Sequence, residues 1–129
     1  EWADSSAARL VAASAALADG ARPGPSIRLA GRALARGAPR TAELYRLLYP
    51  LRHADLLRRE AVARGIDPAF AAALVKQESN FTADARSPAG ARGLMQVMPA
   101  VGRGLWRGPG AWDPALLDRP DVNVPMGMR

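Results

Sequence analysis

The sequence predicts an all-α protein, and three observations carry that prediction. Alanine makes up much of a 49% hydrophobic fraction while aromatics stand at 5%, and small apolar side chains suit closely packed helices better than sheets. Successive segments place apolar residues at helical spacing between a capping residue and a glycine or proline stop. The third observation is the stretch 67–81. There Asp67 is a ready N-cap, Pro68 fits the first helical position, and Ala71, Leu74, Val75, Glu78 and Phe81 fall on one face.

Taken in order, residues 4–18 read as a first helix, with Asp4 or Ser5 as cap, Leu10, Val11, Ala15 and Leu17 on its apolar side, and Gly20 as stop. Residues 22–25, Arg-Pro-Gly-Pro, read as a turn. Ser26 can cap a second helix that runs to Arg36, carries Ile27, Leu29, Ala30, Ala33 and Leu34, and ends at Gly37. Thr41 opens a third with Leu44, Tyr45, Leu47 and Leu48, which has to finish before Pro50. Three short helices joined by brief turns cannot each bury an apolar face alone. Residues 1–50 are therefore expected to form a short helical-hairpin array stacked on a neighbour, or a segment of a plain helical bundle.

A fourth helix near 53–64 ends at Gly65. After the 67–81 helix comes a polar, turn-rich loop over 82–90, then a short apolar turn of helix over 93–99. A glycine-rich stretch around Trp106 follows, and its glycines weaken any helix there. Asp113 and Pro114 can start a short helix holding Leu116 and Leu117, and Asn123 reads as a further cap. Arg129 follows only about one turn later, too little for a helix that stands unaided. The chain starts at Glu1 with no methionine or signal peptide, and it is expected to be processed or a piece of something longer.

At 129 residues the chain is long enough for one core. Its net charge of +6 comes almost wholly from arginine. Such a balance suits a solvated surface or a polyanion partner: nucleic acid, anionic lipid or an acidic cell-wall polymer. The arginines are spread along the chain with few aromatics between them and no recognisable reading module, so no nucleic acid is expected. The absence of cysteine excludes disulfides and thiolate metal sites. The single histidine, His53, has no partners at ligand spacing and reads as a surface residue. No apolar run approaches the roughly 20 residues that span a bilayer.

The residue that invites chemistry is Glu78. It takes a place on the apolar stripe where an ordinary amphipathic helix has leucine or isoleucine. A carboxyl held against apolar neighbours resists ionising, and a proton kept near neutral pH can be given to a leaving group. The structural alternative is an acid near a helix end paired with an arginine such as Arg92.

Gln77-Glu78-Ser79-Asn80-Phe81, followed by Ser87-Pro88-Ala89-Gly90-Ala91-Arg92-Gly93-Leu94-Met95-Gln96-Val97-Met98-Pro99, resembles the soluble lytic transglycosylase family, whose catalytic domain is lysozyme-like. The likeness extends upstream through Tyr49-Pro50-Leu51 and downstream to Leu117-Asp118 and to Asn123 through Gly127. It implies a lysozyme-like all-α architecture in which residues 51–129 are the N-terminal part of the domain. The family's later half, with its Ala-Tyr-Asn-Ala-Gly-like segment and a tyrosine facing the acid, is not among these residues. Residues 1–50 resemble the end of the superhelical array that precedes this domain in larger members.

The resemblance implies cleavage of the β-1,4 bond between N-acetylmuramic acid and N-acetylglucosamine in peptidoglycan, with a 1,6-anhydro product. Glu78 falls on the family's single catalytic acid, which protonates the glycosidic oxygen and then takes the proton from the 6-hydroxyl as that oxygen closes on C1. The substrate's N-acetyl group supports the intermediate, an exception to the two-carboxylate scheme. Ser87 falls on a serine that orients the acid, Gln96 on a sugar-binding glutamine, and Met95 and Met98 on apolar groups of the cleft. Gly90 and Gly93 are expected to permit the loop's tight turns. From the residues alone, Ser87 is equally a turn residue, Gln96 a cap for backbone groups, and Met95 and Met98 core fillers. No metal or organic cofactor is implied, and peptidoglycan glycan strands are the implied partner, in the cell envelope. A hydrolytic muramidase like goose-type lysozyme and a non-catalytic cell-wall-binding module are the competing readings.

Overall fold

Seven α-helices and one 3-10 helix carry residues 6–129, which are the residues described by the computed structural model. They divide between two compact units, Glu1–Leu51 and Arg52–Arg129. The expected cap at Asp4 or Ser5 lies outside the described residues.

The first unit holds α1 (Ser6–Leu17), α2 (Gly24–Ala35) and α3 (Ala42–Leu48), with α2 packed on both others. Its core is mostly alanine and leucine: Ala7, Ala30, Ala33, Ala38, Leu44, Leu47 and Leu48. Where α1 meets α2, Ser14 and Ser26 are both buried. Each hydroxyl lies 2.8–2.9 Å from the other residue's carbonyl oxygen, and the two oxygens are 3.0 Å apart. Two small side chains that satisfy each other let the backbones approach without a stranded polar group. Ser26 is thus not the cap of α2. The helix starts two residues earlier, after Pro23, with no side-chain cap. The fixed φ of the prolines at 23 and 25 sets up the first turn instead. Thr41 does cap α3, its Oγ1 accepting from the Leu44 N–H at 3.1 Å, and α3 ends at Leu48, ahead of Pro50.

The second unit holds α4 (Ala54–Val62), α5 (Pro68–Ser79), α6 (Pro99–Leu105), a 3-10 helix (Pro114–Asp118) and α7 (Pro120–Gly127). Here α4 packs against α5 and α7, and the 3-10 helix against α6 and α7. The shared core runs through Leu57, Ala61, Ala71, Val75, Phe81, Leu94, Leu117, Val122 and Val124. Asp67 caps α5 as its sequence predicts, Oδ1 accepting from the Ala69 N–H at 2.8 Å, and Asp113 caps the 3-10 helix the same way through Ala115. His53 is exposed, as expected of a surface histidine, in a left-handed conformation (φ 59°) just ahead of α4. Partial burial, and then the neighbouring Arg52, lower its pKa.

Three local expectations differ from the fold. Residues 93–97 form a turn closed by a bridge between Arg92 and Val97, not a turn of helix. The glycines at 102 and 104 do not prevent α6. Gly102 is buried because the Trp112 indole lies where its β-carbon would be, so glycine is what lets the ring close on the helix. Asn123 is not a cap: α7 starts at Pro120, and Asn123 is wholly buried within it.

Candidate active site

The last turn of α5 carries Glu78, and the chain reverses immediately beyond it. Asn80 and Phe81 both take left-handed backbone conformations (φ 48° and 58°), rare for residues with a side chain and most so for a bulky one. Burial of Phe81 to 2% exposure holds that turn in place. Glu78 shares the face of Ala71 and Val75, as its spacing predicts, yet its side chain is exposed. The apolar enclosure expected of it is therefore not met within the described residues. Ala71 and Val75 are covered by core neighbours, whereas the face runs past the edge of that core at the final turn.

Glu78 differs from the other acids of the second unit in having no evident structural task. Glu60, Asp118 and Asp121 hold arginines, Asp67 and Asp113 cap helices, and Asp55 lies in the first turn of α4, the end that favours an anion. Among the described residues the Glu78 side chain makes neither a hydrogen bond nor an ion pair. The pairing with Arg92 does not form. Arg92 instead grips Asp118 through two hydrogen bonds, Nε to Oδ1 at 3.1 Å and Nη2 to Oδ2 at 2.7 Å. Arg86 adds a third at 3.1 Å. The guanidinium bonds of Arg92 hold the Asp118 carboxyl below its ordinary pKa against the opposing effect of burial, and the pair raises that of Arg92.

The loop after α5 is built around Ser87 and two glycines. The Ser87 Oγ accepts from the Ala91 N–H at 3.0 Å, closing the Ser-Pro-Ala-Gly turn, and makes no bond to Glu78. Gly90 and Gly93 both have positive φ (89° and 79°), as the tight turns require. Gly93 also lies so close to the Leu117 carbonyl and the Asn123 amide that a β-carbon has no room. Gln96 takes a left-handed conformation too (φ 49°), and its Nε2 donates to the carbonyls of Gly93 (2.9 Å) and Ala85 (3.3 Å).

Met95, Gln96 and Met98 come together along an open groove of about 540 Å³, which Val101, Leu105 and Met126 also line. Met95 is mostly buried and Met98 is 41% exposed, so the first fills the core while the second offers apolar surface. Glu78 and Ser87 lie outside that lining. Two residues to which the sequence reading assigned no part in the site hold the loop: Asp118, through Arg92, and Asn123, through the backbone of the 92–95 turn. A buried asparagine in a helix interior is the signal that marks Asn123, but it needs knowledge of burial. No group of His, Cys, Asp and Glu among the described residues comes together in a way that could hold a metal ion.

Comparison with known proteins bears on the same segment. The family model described as "Transglycosylase SLT domain" matches residues 55–129. The soluble lytic murein transglycosylase of Escherichia coli strain K12 is 34% identical over 82 residues, covering 61% of this chain and 13% of that protein. Its Salmonella typhimurium counterpart is 34% identical over 87 residues with the same coverage. Among solved structures, an inactive glutamate-to-glutamine mutant of the lytic transglycosylase Slt from Pseudomonas aeruginosa matches with a TM-score of 0.74 and 31% identity. It covers 95% of this chain and 19% of that one. The 70 kDa soluble lytic transglycosylase of Escherichia coli shares the fold, with a TM-score of 0.74 at 24% identity over 98% of this chain and 21% of its own. The chain therefore spans about an eighth of the curated relatives' length. The lysozyme-like helical fold expected from the sequence is met, and the chain belongs to the transglycosylase SLT domain family.

Proposed function

We propose that this chain carries the acid-bearing part of a peptidoglycan lytic transglycosylase, with Glu78 as the single acid and base. Glu78 protonates the glycosidic oxygen between N-acetylmuramic acid and N-acetylglucosamine. It then accepts the proton of the 6-hydroxyl while that oxygen closes on C1 to give the 1,6-anhydro sugar. The carboxyl gives one proton to the departing oxygen and regains another from the 6-hydroxyl, so no second carboxylate and no cofactor is needed. The observation that carries the reading is the idleness of Glu78: an exposed carboxylate with no partner, inside the family-matched segment, where most neighbouring acids have structural work. Support also comes from the relative whose glutamate-to-glutamine mutant is described as inactive.

In this reading the groove of Met95, Gln96 and Met98 takes the glycan. Sugar hydroxyls and acetamido groups need directional hydrogen bonds, which the Gln96 amide supplies. The sugar faces and acetyl methyl need apolar surface, which Met98 offers. Ser87, by closing the turn at Ala91, keeps the loop beside the acid in shape. The substrate is peptidoglycan glycan strands, and the working site is in the cell envelope. No helix among the described residues is long and apolar enough to cross a membrane. Residues 1–50 are a helical array that precedes, along the chain, the lysozyme-like domain of residues 51–129.

Incubation of the protein with purified peptidoglycan, followed by mass analysis of the sugars released, tests this. Products lighter by one water than hydrolysed muropeptides are expected, and their loss in Glu78→Gln. Undiminished activity in that variant refutes the role of Glu78. The exposure of Glu78 favours one second reading, hydrolysis, because solvent has access to the acid. Reducing-end products in the same digest decide for it.

A further inference from the structure

The residue that shapes the groove without lining it is Asn123. It is wholly buried within α7, and all three of its polar contacts reach backbone outside that helix. Its Oδ1 accepts from the Met95 N–H at 2.7 Å. Its Nδ2 donates to the Arg92 carbonyl at 2.8 Å and to the Leu117 carbonyl at 2.9 Å. Both amide protons are thereby used, and the flipped amide sets oxygen against two carbonyls and nitrogen against an N–H. One side chain thus bridges the 92–95 turn, the 3-10 helix and α7. Gly93 lies directly against it.

We propose that Asn123 is a positioning residue for the glycan groove, fixing through the 92–95 turn the direction in which Gln96 presents its side-chain oxygen. This deepens the glycan reading above and rests on it. Gln96 follows the clamped turn directly and sits in a left-handed conformation, which a side-chain-bearing residue keeps only when its surroundings enforce it. Its Nε2 is spent on the carbonyls of Gly93 and Ala85, and its Oε1 has no partner among the described residues. What Gln96 offers a ligand is therefore an acceptor. It selects a donor on the sugar, a hydroxyl or the N–H of an acetamido group. If the Asn123 clamp is released, Gly93 O no longer anchors Nε2, and the acceptor loses its direction.

Asn123→Asp tests this, because it keeps the shape but sets an oxygen against the Arg92 and Leu117 carbonyls. Asn123→Ser, too short to span the turn, serves if the aspartate variant does not fold. Leu57→Ala, which thins the same core but removes none of the three Asn123 bonds, is the control for loss of stability alone. On the ¹⁵N-labelled chain, hydrogen exchange of the Met95 amide and the Gln96 Nε2 protons is read together with titration by an N-acetylglucosamine oligosaccharide. The clamp variant is expected to lose protection at Met95 and Gln96 while Val75 in α5 keeps its own, and to bind the oligosaccharide about tenfold more weakly. Leu57→Ala is expected to lower protection at Val75 together with Met95, as a general loss of stability does, and to leave the affinity unchanged. Unchanged exchange at Met95 and Gln96 in the clamp variant overturns the proposal, as does an equal loss of affinity in the control. Failure of the unsubstituted chain to bind the oligosaccharide counts against the glycan reading instead, because the exchange data do not depend on it.

Discussion

Gly93 and Gly104 are chemically identical, and the structure gives them opposite values. At Gly93 the backbone has φ 79°, and a β-carbon collides with the Leu117 carbonyl and the Asn123 amide. Neither neighbour can yield, since one is backbone and the other is held by three hydrogen bonds. Gly93→Ala is expected to cost at least about 2 kcal/mol, combining left-handed strain with a clash in a filled space. At Gly104, inside α6, nothing lies within 4 Å of the position a β-carbon would take, and the backbone is helical. Gly104→Ala removes freedom from the unfolded chain and is expected to stabilise by about 0.5–1 kcal/mol. Denaturant titration of the two variants checks both signs. A similar or reversed effect places the turn somewhere other than described. Glu78 teaches a related lesson at this scale. Its azimuth on α5 is readable from spacing, because helical geometry is local. Its exposure is not, because cover at a helix end depends on what other parts of a fold contribute.

Among the elements, the loop after α5 and the 3-10 helix are joined by the bidentate grip of Arg92 on Asp118, both side chains being less than a quarter exposed. Charged hydrogen bonds of this geometry are among the stronger polar contacts, and losing one partner leaves the other poorly solvated. Asp118→Asn is expected to cost about 1–2 kcal/mol, discounted for the residual solvent around the pair. The carboxyl's folded pKa lies below its ordinary value of 3.8, so the unfolded chain takes up the proton first. The pair's contribution is therefore complete above that ordinary value and lost as pH falls through the folded pKa. Stability followed from neutral pH into this acid range should fall more steeply for the unsubstituted protein than for Asp118→Asn, and parallel curves refute the linkage. Legibility divides along the same line. The capped starts of α3 and α5 and the 3-10 helix are written within three residues of Thr41, Asp67 and Asp113. The grips of Ser26, Asn123 and Asp118 span 12, 28 and 26 residues of chain. No local pattern announces them, so Ser26 and Asn123 read as caps that they are not. The site divides likewise: Met95, Gln96 and Met98 are adjacent in sequence and meet in one groove, whereas Ser87 and Glu78 are brought to it by no described contact.

For the whole molecule, the two units differ in what they can bury. The second joins four α-helices, a 3-10 helix and a clamped loop around one core that includes Phe81, Leu94, Leu117 and three methionines. The first has three short helices around a core whose largest members are leucines, with four alanines beside them. Alanine contributes little transfer free energy when buried, and a domain of roughly 50 residues with neither metal nor disulfide is close to the limit of independent stability. The second unit should therefore hold its structure when made alone, and the first should not. Circular dichroism of the separate pieces, residues 52–129 and residues 1–51, makes the comparison direct. A cooperative thermal transition is expected for the larger piece and a shallow, non-cooperative loss of helix for the smaller. If the larger piece melts without cooperativity, the core of Phe81, Leu94 and Leu117 is too small to hold the groove by itself, and the comparison of the two cores drawn from their side chains fails.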